Sequence, residues 1–265
     1  MWNLVKRVAV VYVSFIFFGL IFAGVSRAKI DPGTIVGLWL FDEGAGDTIE
    51  DTSGNGNDGK LVGPVWAAGK YGGALDFDGT DIHAEVPDDP SLAPMDEITI
   101  AVLVYLHAVN TNKDYNGMLD KTAGATDRSY NIGLRNGQWE FGLVNDANTK
   151  ITLNAGDVKT EEWIHLAGVY DGSEMKLYEN GVLMDSIDQS GSVNESNAVL
   201  WFSGWPGGVG YGLNGMIDEA VILNVALSED DIGKLASQGF ETALAVEHTG
   251  KLATAWGMLK TGFRK

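Results

Sequence analysis

Short apolar runs separated by turn-forming residues follow one another along this chain from Ile35 onward. The segment Ile98–Leu106 is almost entirely apolar, which is typical of a strand buried on both faces. Asn136-Gly137 and Asn180-Gly181 each stand between two such runs, and these pairs are strong short-range signals for a β-hairpin. The pattern predicts strands at 35–41, 74–77, 98–106, 130–134, 139–144, 163–170, 175–179, 182–186, 199–203 and 216–223.

One segment near the end of this series, residues 228–238, has the pattern of a helix instead. Ser228 is a typical N-cap, and Glu229, Asp230 and Asp231 place acidic side chains in the first turn, where the helix dipole favours them. Gly239 follows as a C-cap. About ten strands and one short C-terminal helix predict an all-β chain, an antiparallel sandwich or jellyroll over about residues 30–240.

The first 28 residues differ in composition from the rest of the chain. Lys6 and Arg7 precede an apolar run over 8–25, and Ser26 and Ala28 are small residues at the positions that a signal peptidase reads. We therefore predict a signal peptide over 1–28, a secreted or cell-surface protein, and no membrane span in the mature chain. The apolar run is long for a signal peptide, so an uncleaved membrane anchor is the alternative.

The segment 241–265 changes character again and is treated as a separate tail behind a domain over 29–240. Lys251, Lys260, Arg264 and Lys265 make it basic on an acidic chain. One interpretation is a weakly helical or disordered terminus. The other is a sorting or surface-attachment segment, or one that associates with a membrane surface.

Charge and cysteine content narrow the possible partners and chemistries. The formal net charge is −18, from 36 acidic and 18 basic side chains. Nucleic acid is therefore not an expected partner, because phosphate binding requires clustered Lys and Arg. The chain has no cysteine, which excludes disulfides, thiolate nucleophiles and Cys-based zinc sites. An acidic surface can also recruit divalent cations.

Four segments, in order along the chain, resemble laminin-G-like jellyroll domains of secreted bacterial proteins, which belong to the concanavalin A-like lectin/glucanase superfamily. They read GLWLFDEGAG with DTSGNGNDGKL, GGALDFDGTDIHAEVPDDPSL, EWIHLAGVYDGSEMKLYENG, and NGMIDEAVILNVALSEDDI. The resemblance implies two antiparallel sheets that face each other, with the first and last strands close together. It implies no single function, because this fold carries lectins, adhesins, enzyme-associated modules and glycosidases.

The loop DTSGNGNDG is a candidate calcium site. Calcium prefers six to eight oxygen ligands on a flexible loop, and Asp51, Asn55, Asn57 and Asp58 supply side-chain oxygens there. Asp218 lies in the closing strand, which the resemblance places near this loop, so it is a fifth candidate. The alternative is a metal-free turn in which Asp and Asn bond their own backbone.

Two loops offer candidate residues for carbohydrate binding, because sugars stack on aromatic rings and bond to carboxylate and amide groups. The loop 109–116 contains Asp114, Tyr115 and Asn116. The glycine-rich loop 203–213 contains Trp205 and Tyr211. The alternative is that these two aromatic residues only cover the end of the sandwich.

An enzyme is the less favoured interpretation. Sandwich glycosidases need two carboxylates that flank the scissile bond, and no strand pattern here shows such a pair. Asp218 and Glu219 are adjacent, so their side chains point to opposite faces unless a bulge intervenes. We therefore expect a non-catalytic extracellular module that binds carbohydrate or a surface protein, with calcium as a structural cofactor. A polysaccharide-acting glycosidase or lyase and a purely structural surface protein are the alternatives.

Overall fold

The computed structural model describes residues 30–244, apart from 94, 112, 125–126 and 207–209. The strands in this part of the chain are β1 (Ile35–Trp39), β2 (Thr48–Ile49), β3 (Gly59–Val62), β4 (Val65–Ala68), β5 (Gly73–Asp78), β6 (His83–Val86), β7 (Ile98–Leu106), β8 (Tyr115–Thr122), β9 (Arg128–Arg135), β10 (Gln138–Val144), β11 (Lys150–Ala155), β12 (Trp163–Tyr170), β13 (Glu174–Glu179), β14 (Val182–Asp188), β15 (Leu200–Phe202) and β16 (Asn214–Leu223). The helices are α1 (Glu229–Gln238) and α2 (Phe240–Leu244), and 3₁₀ turns lie at Pro32–Thr34 and Pro90–Leu92.

The strands form two antiparallel sheets. The first has the order β14–β13–β12–β7–β16–β5–β4, and β1 also pairs with β16. The second has the order β11–β10–β9–β8–β15–β6–β3–β2. The turns Asn136-Gly137 and Asn180-Gly181 have positive φ at both positions, 51° and 81° in one and 52° and 82° in the other, as the twist of two-residue hairpins requires. The predicted two-sheet antiparallel jellyroll sandwich is confirmed.

The main core lies between the sheets and follows the two-residue alternation of the strands. Along β10, Trp139, Phe141 and Leu143 belong to this core, so the residues between them face outward. Trp39 packs edge-on against Phe202 with ring centroids 5.1 Å apart. Each such fully buried side chain stabilises the fold by about 1.5–3 kcal/mol through loss of apolar contact with water.

A second apolar cluster covers the outer face of the first sheet. Ile232 and Leu235 of α1 and Phe240 and Leu244 of α2 pack there. This layer explains why Ile98–Leu106 is buried on both faces, as its composition predicts. The predicted cap of α1 is also confirmed, because the Ser228 side chain accepts the hydrogen bond of Asp231 N. The packed part of the chain extends through α2, four residues past the expected boundary at 240.

In β8 and β16, a β-bulge changes which side chains point into the core and which point outward. In β8 the register shifts between Gly117 and Leu119, and both Met118 and Leu119 enter the core. In β16 it shifts between Ile217 and Ala220, and both of these residues enter the core. The two intervening carboxyl residues, Asp218 and Glu219, therefore both point away from the main core. Their predicted placement on opposite faces required an unbroken strand, and the bulge removes that condition.

Several elements differ from the sequence prediction. Tyr115 and Asn116 begin β8, whereas the pattern placed them in a loop, because polar residues and a glycine obscure the alternation. Besides β8, strands β2, β3, β4, β6 and β11 were not predicted, since most of these five are short and carry few apolar residues. No helix among the described residues is long and apolar enough to cross a membrane. The predicted signal peptide over 1–28 and the tail beyond Leu244 lie outside the described residues.

Candidate functional site

An open groove of about 270 Å³ lies on the outer face of the second sheet, across β8, β9, β10 and β11. We call it the β8–β11 groove. Polar side chains of these strands line it, together with two aromatic rings from the loop before β16. A glycine makes room for one of the polar groups, because a Cβ at Gly142 would lie 2.3 Å from Asn131 Oδ1. The groove is thus lined by side chains that point outward from the second sheet, while the residues next to them in sequence point into the core.

A hydrogen-bond network joins three strands beneath the groove. The Tyr115 hydroxyl of β8 donates to Asp120 Oδ1 over 2.6 Å. Asn131 of β9 donates from Nδ2 to the Tyr115 hydroxyl over 3.1 Å and to Glu140 Oε1 of β10 over 3.0 Å. Two buried carboxyl groups, far apart in sequence, are therefore linked through one tyrosine and one amide.

Arg135 balances the charge of the buried Glu140. Its Nε donates to Glu140 Oε2, and its Nη1 donates to Asp114 Oδ2 over 3.0 Å. The guanidinium also stacks on the Tyr115 ring, 4.8 Å from the centroid. Lys150 of β11 lies 3.7 Å from Glu140 Oε1, and burial lowers the pKa of its amine. A charged carboxylate at zero exposure is thus stabilised by direct ionic partners.

Asp120 is a different kind of carboxyl group. Burial raises its pKa to about 8, against the opposing effect of the hydrogen bond from Tyr115. Its Oδ2 has no hydrogen-bond partner among the described residues. A pKa of about 8 makes the protonated form of Asp120 the main form at neutral pH. Burial also raises the pKa of Tyr115 well above 10, so its hydroxyl stays protonated.

Trp205 and Tyr211 form an aromatic wall at one side of the groove. Their rings meet edge to face, with centroids 5.3 Å apart. The Arg128 guanidinium lies 5.2 Å from the centroid of Trp205, and the Lys113 amine lies 4.9 Å from that of Tyr211. Both rings are only partly buried, so each keeps surface that a ligand can reach.

The base of the wall is tied to the sheet by hydrogen bonds from the backbone. Gly117 N donates to Tyr211 O over 3.2 Å, and Leu213 N donates to Ser203 Oγ over 3.0 Å. Ser203 N in turn donates to Met118 O over 3.1 Å. These bonds hold the two ends of the aromatic segment against the bulged part of β8.

The structure brings together four of the five residues that the sequence nominates for ligand binding. Asp114, Tyr115, Trp205 and Tyr211 line the β8–β11 groove. Asn116 does not line it; this side chain is buried, and its Nδ2 donates to Tyr115 O over 2.9 Å. The sequence prediction missed the strand residues Asp120, Arg128, Asn131, Arg135, Glu140 and Lys150. Asn131 and Glu140 could have been found from the sequence, because they are polar residues at outward positions of the predicted hairpin of β9 and β10.

The proposed calcium residues of the DTSGNGNDG loop are occupied by hydrogen bonds to the backbone. Asp51 Oδ1 accepts from Leu38 N and Ser53 N, over 3.0 and 2.9 Å, and Oδ2 accepts from Asn57 N over 3.0 Å. Asp58 Oδ1 accepts from Asp51 N over 2.8 Å. These contacts fasten the loop to the first strand and give both carboxylates hydrogen-bond partners.

The amides of the same loop and the fifth candidate, Asp218, are also engaged. Asn55 Nδ2 donates to Ile35 O over 2.8 Å, and Asn57 Nδ2 donates to Val36 O over 2.9 Å. Asp218 Oδ2 accepts from the backbone of a different loop, residues 70 and 71. Across 30–244, outside the gaps, no three His, Asp or Glu side chains are grouped to bind a metal ion. Calcium binding by these residues stays a prediction.

Glu219, next to Asp218, has a structural contact of its own. Its Oε2 accepts from Phe240 N over 2.8 Å, at the start of α2. Burial raises the pKa of Asp218 to about 6 and that of Glu219 to about 7, and each carboxyl is further affected by a neighbouring carboxylate. Glu219 thus secures the start of α2, and Asp218 secures the loop at residues 70 and 71, both on the first sheet and away from the groove.

Comparison with known proteins identifies relatives of this fold. A laminin-G-type family model, described as the concanavalin A-like lectin/glucanases superfamily, matches residues 78–233. Pappalysin-1 of Mus musculus is 27% identical over 213 residues, which cover 71% of this chain and 13% of that protein. The chain therefore spans only a small part of the length of this relative.

Two solved structures have the same architecture. The binding domain of Paraclostridial Mosquitocidal Protein 1 aligns with a TM-score of 0.63 at 16% identity, over 77% of this chain and 52% of that chain. Domain 4 of AbnA, an extracellular arabinanase of Geobacillus stearothermophilus in complex with arabinotriose, aligns with a TM-score of 0.60 at 22% identity, over 77% and 98%. At these identities the likeness shows the shared fold alone.

Proposed function

The chain belongs to the concanavalin A-like lectin/glucanase superfamily, and from this premise we propose that it is a non-catalytic module that binds carbohydrate in the β8–β11 groove. The module acts outside the cell, as a secreted or surface protein. An extracellular protein that carries the glycan is an equally suitable partner, since the sugar is what the groove contacts.

One observation carries this proposal: the aromatic wall stands beside a set of reachable polar side chains. Sugars present apolar C–H faces that pack on aromatic rings and hydroxyl groups that need fixed hydrogen-bond partners. Trp205 and Tyr211 supply the rings, and Asn131 and Arg135 supply partly exposed polar groups. A groove with these two kinds of surface is the usual form of a small-ligand site.

The named relatives support a binding role. The domain of the arabinanase was solved with arabinotriose, and the mosquitocidal domain is called a binding domain. Both statements concern those proteins, and the match in fold makes the same kind of role reasonable for this chain.

A glycan array, run with and without calcium, tests the proposal. We expect selective binding to at least one class of oligosaccharide, and we expect Trp205→Ala to abolish it. Tyr71→Ala is the matched control, because it removes an exposed ring from a loop outside the groove. An array with no signal for any glycan contradicts the proposal and favours the purely structural surface protein.

A second candidate, a polysaccharide-acting glycosidase, is favoured by one observation. Asp120 and Glu140 are two carboxyl groups that line the same groove, and a raised pKa suits a general acid. However, Asp120 is 2% exposed and Glu140 is fully buried, so neither reaches a bound glycosidic bond without rearrangement. Release of reducing ends from a polysaccharide panel, lost in Asp120→Asn, would support the enzyme, whereas we expect no release.

A further inference from the structure

We infer, on the premise that the β8–β11 groove binds carbohydrate, that it selects an acidic sugar whose carboxylate is bound by Arg128 and Lys150. The inference follows from which charged groups of the groove a ligand can reach and which of them already have ionic partners.

The charged side chains that a ligand can reach in the groove are mostly positive, whereas the net charge of the chain is negative. The chain contains 36 acidic and 18 basic side chains. In the groove, Arg128, Arg135 and Lys150 are all partly exposed or exposed, whereas Asp114 is the one reachable carboxylate among the described lining residues. Asp120 and Glu140 are buried beneath them. An acidic protein therefore presents a local cationic surface at this site.

Not all of these cations are neutralised inside the protein. Arg135 is paired with both Glu140 and Asp114. Lys150 lies 3.7 Å from a Glu140 oxygen, but that carboxylate already accepts from Arg135 and Asn131. Arg128 donates from Nε to Gly124 O over 2.6 Å and has no carboxylate within ion-pair distance in the part of the chain that the structure describes.

The state of Asp120 leaves this excess of positive charge uncompensated. Asp120 also lines the groove, and it interacts electrostatically with both Arg128 and Lys150. Because burial raises its pKa to about 8, Asp120 is mainly protonated at neutral pH and contributes little negative charge there. Burial lowers the pKa of Lys150 most, Glu140 raises it, and repulsion from Arg135 and Arg128 lowers it further. A bound anion would relieve this repulsion.

Arg128 is held in a geometry that suits a carboxylate. Its guanidinium lies over the Trp205 ring and donates from Nε to the carbonyl of Gly124, and among the described residues the two terminal nitrogens have no hydrogen-bond acceptor. A guanidinium presents paired N–H groups that match the two oxygens of a carboxylate. The adjacent Trp205 ring offers an apolar surface to the rest of the sugar. A uronic acid or a sialic acid combines both features in one residue.

Calorimetric titration at neutral pH and low salt, with two matched pairs of probes, tests whether the groove prefers an acidic sugar. The first pair is trigalacturonic acid and its fully methyl-esterified form; the second is 3′-sialyllactose and lactose. We expect at least one acidic probe to bind about tenfold or more tighter than its neutral partner. The difference should shrink as salt is added, because screening weakens partly exposed ion pairs.

Arg128→Gln should lower the affinity for the acidic probe by about tenfold more than the affinity for its neutral partner, and this removes the preference. Arg128→Lys keeps the charge without the paired donors, so it should retain only part of the preference. Lys176→Gln is the control, because it removes one positive charge from the first sheet, away from the groove. It should bind all probes as the unaltered protein does.

The outcomes separate this inference from the proposed function. Equal or tighter binding of the neutral probes overturns the acidic-sugar inference and leaves the carbohydrate function standing. An equal loss for both members of a pair in Arg128→Gln shows a structural role for Arg128 and also overturns it. If neither these probes nor the glycan array give binding, the proposed function fails together with the inference.

Discussion

Tyr115 and Asp120, five residues apart on β8, are joined by a 2.6 Å hydrogen bond from the tyrosine hydroxyl to the carboxyl group. In a regular strand an odd separation places side chains on opposite faces. The bulge between Gly117 and Leu119 turns two successive residues into the core, so Tyr115 and Asp120 meet on the outer face. This local irregularity brings Asp120 beneath the groove, where burial raises its pKa.

The first prediction concerns the aromatic wall. Trp205→Ala should abolish glycan binding but lower the free energy of unfolding by only about 1 kcal/mol, since the ring is partly exposed. Trp139→Ala is the matched comparison, because that ring is fully buried and its removal should cost about 3–5 kcal/mol. Denaturation midpoints and ligand affinities are measured on both variants. A loss of stability for Trp205→Ala as large as for Trp139→Ala would assign Trp205 to the core.

The second prediction is a pH dependence of stability that involves Asp120. Its pKa is about 8 in the folded protein, against an ordinary value of 3.8 for a solvated aspartate, so the folded state binds the additional proton between these values. The contribution to stability is complete below about pH 4 and is lost as pH rises through 8, with a slope of at most about 1.4 kcal/mol per pH unit.

Asp120→Asn isolates this contribution, because the amide keeps the shape of the carboxyl group but does not titrate in this range. Denaturant unfolding at pH 5, 6, 7 and 8 should give a flatter profile for the variant than for the unaltered protein. The slope that remains is expected from Asp218 and Glu219, whose pKa values are also raised. Identical profiles would show that Asp120 ionises normally.

The third prediction concerns the Asp51 loop. Asp51→Ala should lower the free energy of unfolding by about 1–3 kcal/mol, because buried N–H groups of the backbone lose their acceptor. This loss should appear with and without calcium.

Calcium support of the same loop is tested in parallel. Calcium at about 100 times its dissociation constant should add about 2.7 kcal/mol if it binds only the folded state. The melting temperature of the unaltered protein should then fall in a chelator, and Asp51→Ala should remove that difference. If the melting temperature of metal-stripped protein is the same with and without chelator, calcium does not support the loop, and the hydrogen bonds of Asp51 alone account for its effect on stability.

The fourth prediction concerns processing. The exported protein should begin at Lys29, because small residues precede this position and the apolar run ends just upstream. Intact-mass measurement of protein recovered from the medium or cell surface decides this. A mass that includes residues 1–28 would support the membrane-anchor interpretation.

The sequence by itself determined those features that depend on neighbouring residues. Asn136-Gly137 specified a hairpin because these two residues tolerate the positive φ that the turn needs. The apolar run Ile98–Leu106 specified a strand covered on both faces, and Ser228 specified the start of α1. Trp205 and Tyr211 were also recognisable as candidates, because large rings in a glycine-rich loop stand out without any knowledge of the fold.

Only the tertiary structure decided the composition of the groove. Glu140 and Asp120 lie on β10 and β8, and they meet because both strands pair with β9. The bulges in β8 and β16 also break the two-residue period from which a face is predicted, so the sides on which Asp120 and Asp218 lie could not be derived from spacing. The protonation of Asp120 depends on burial by residues distant in sequence, since desolvation acts through the packed surroundings of a group.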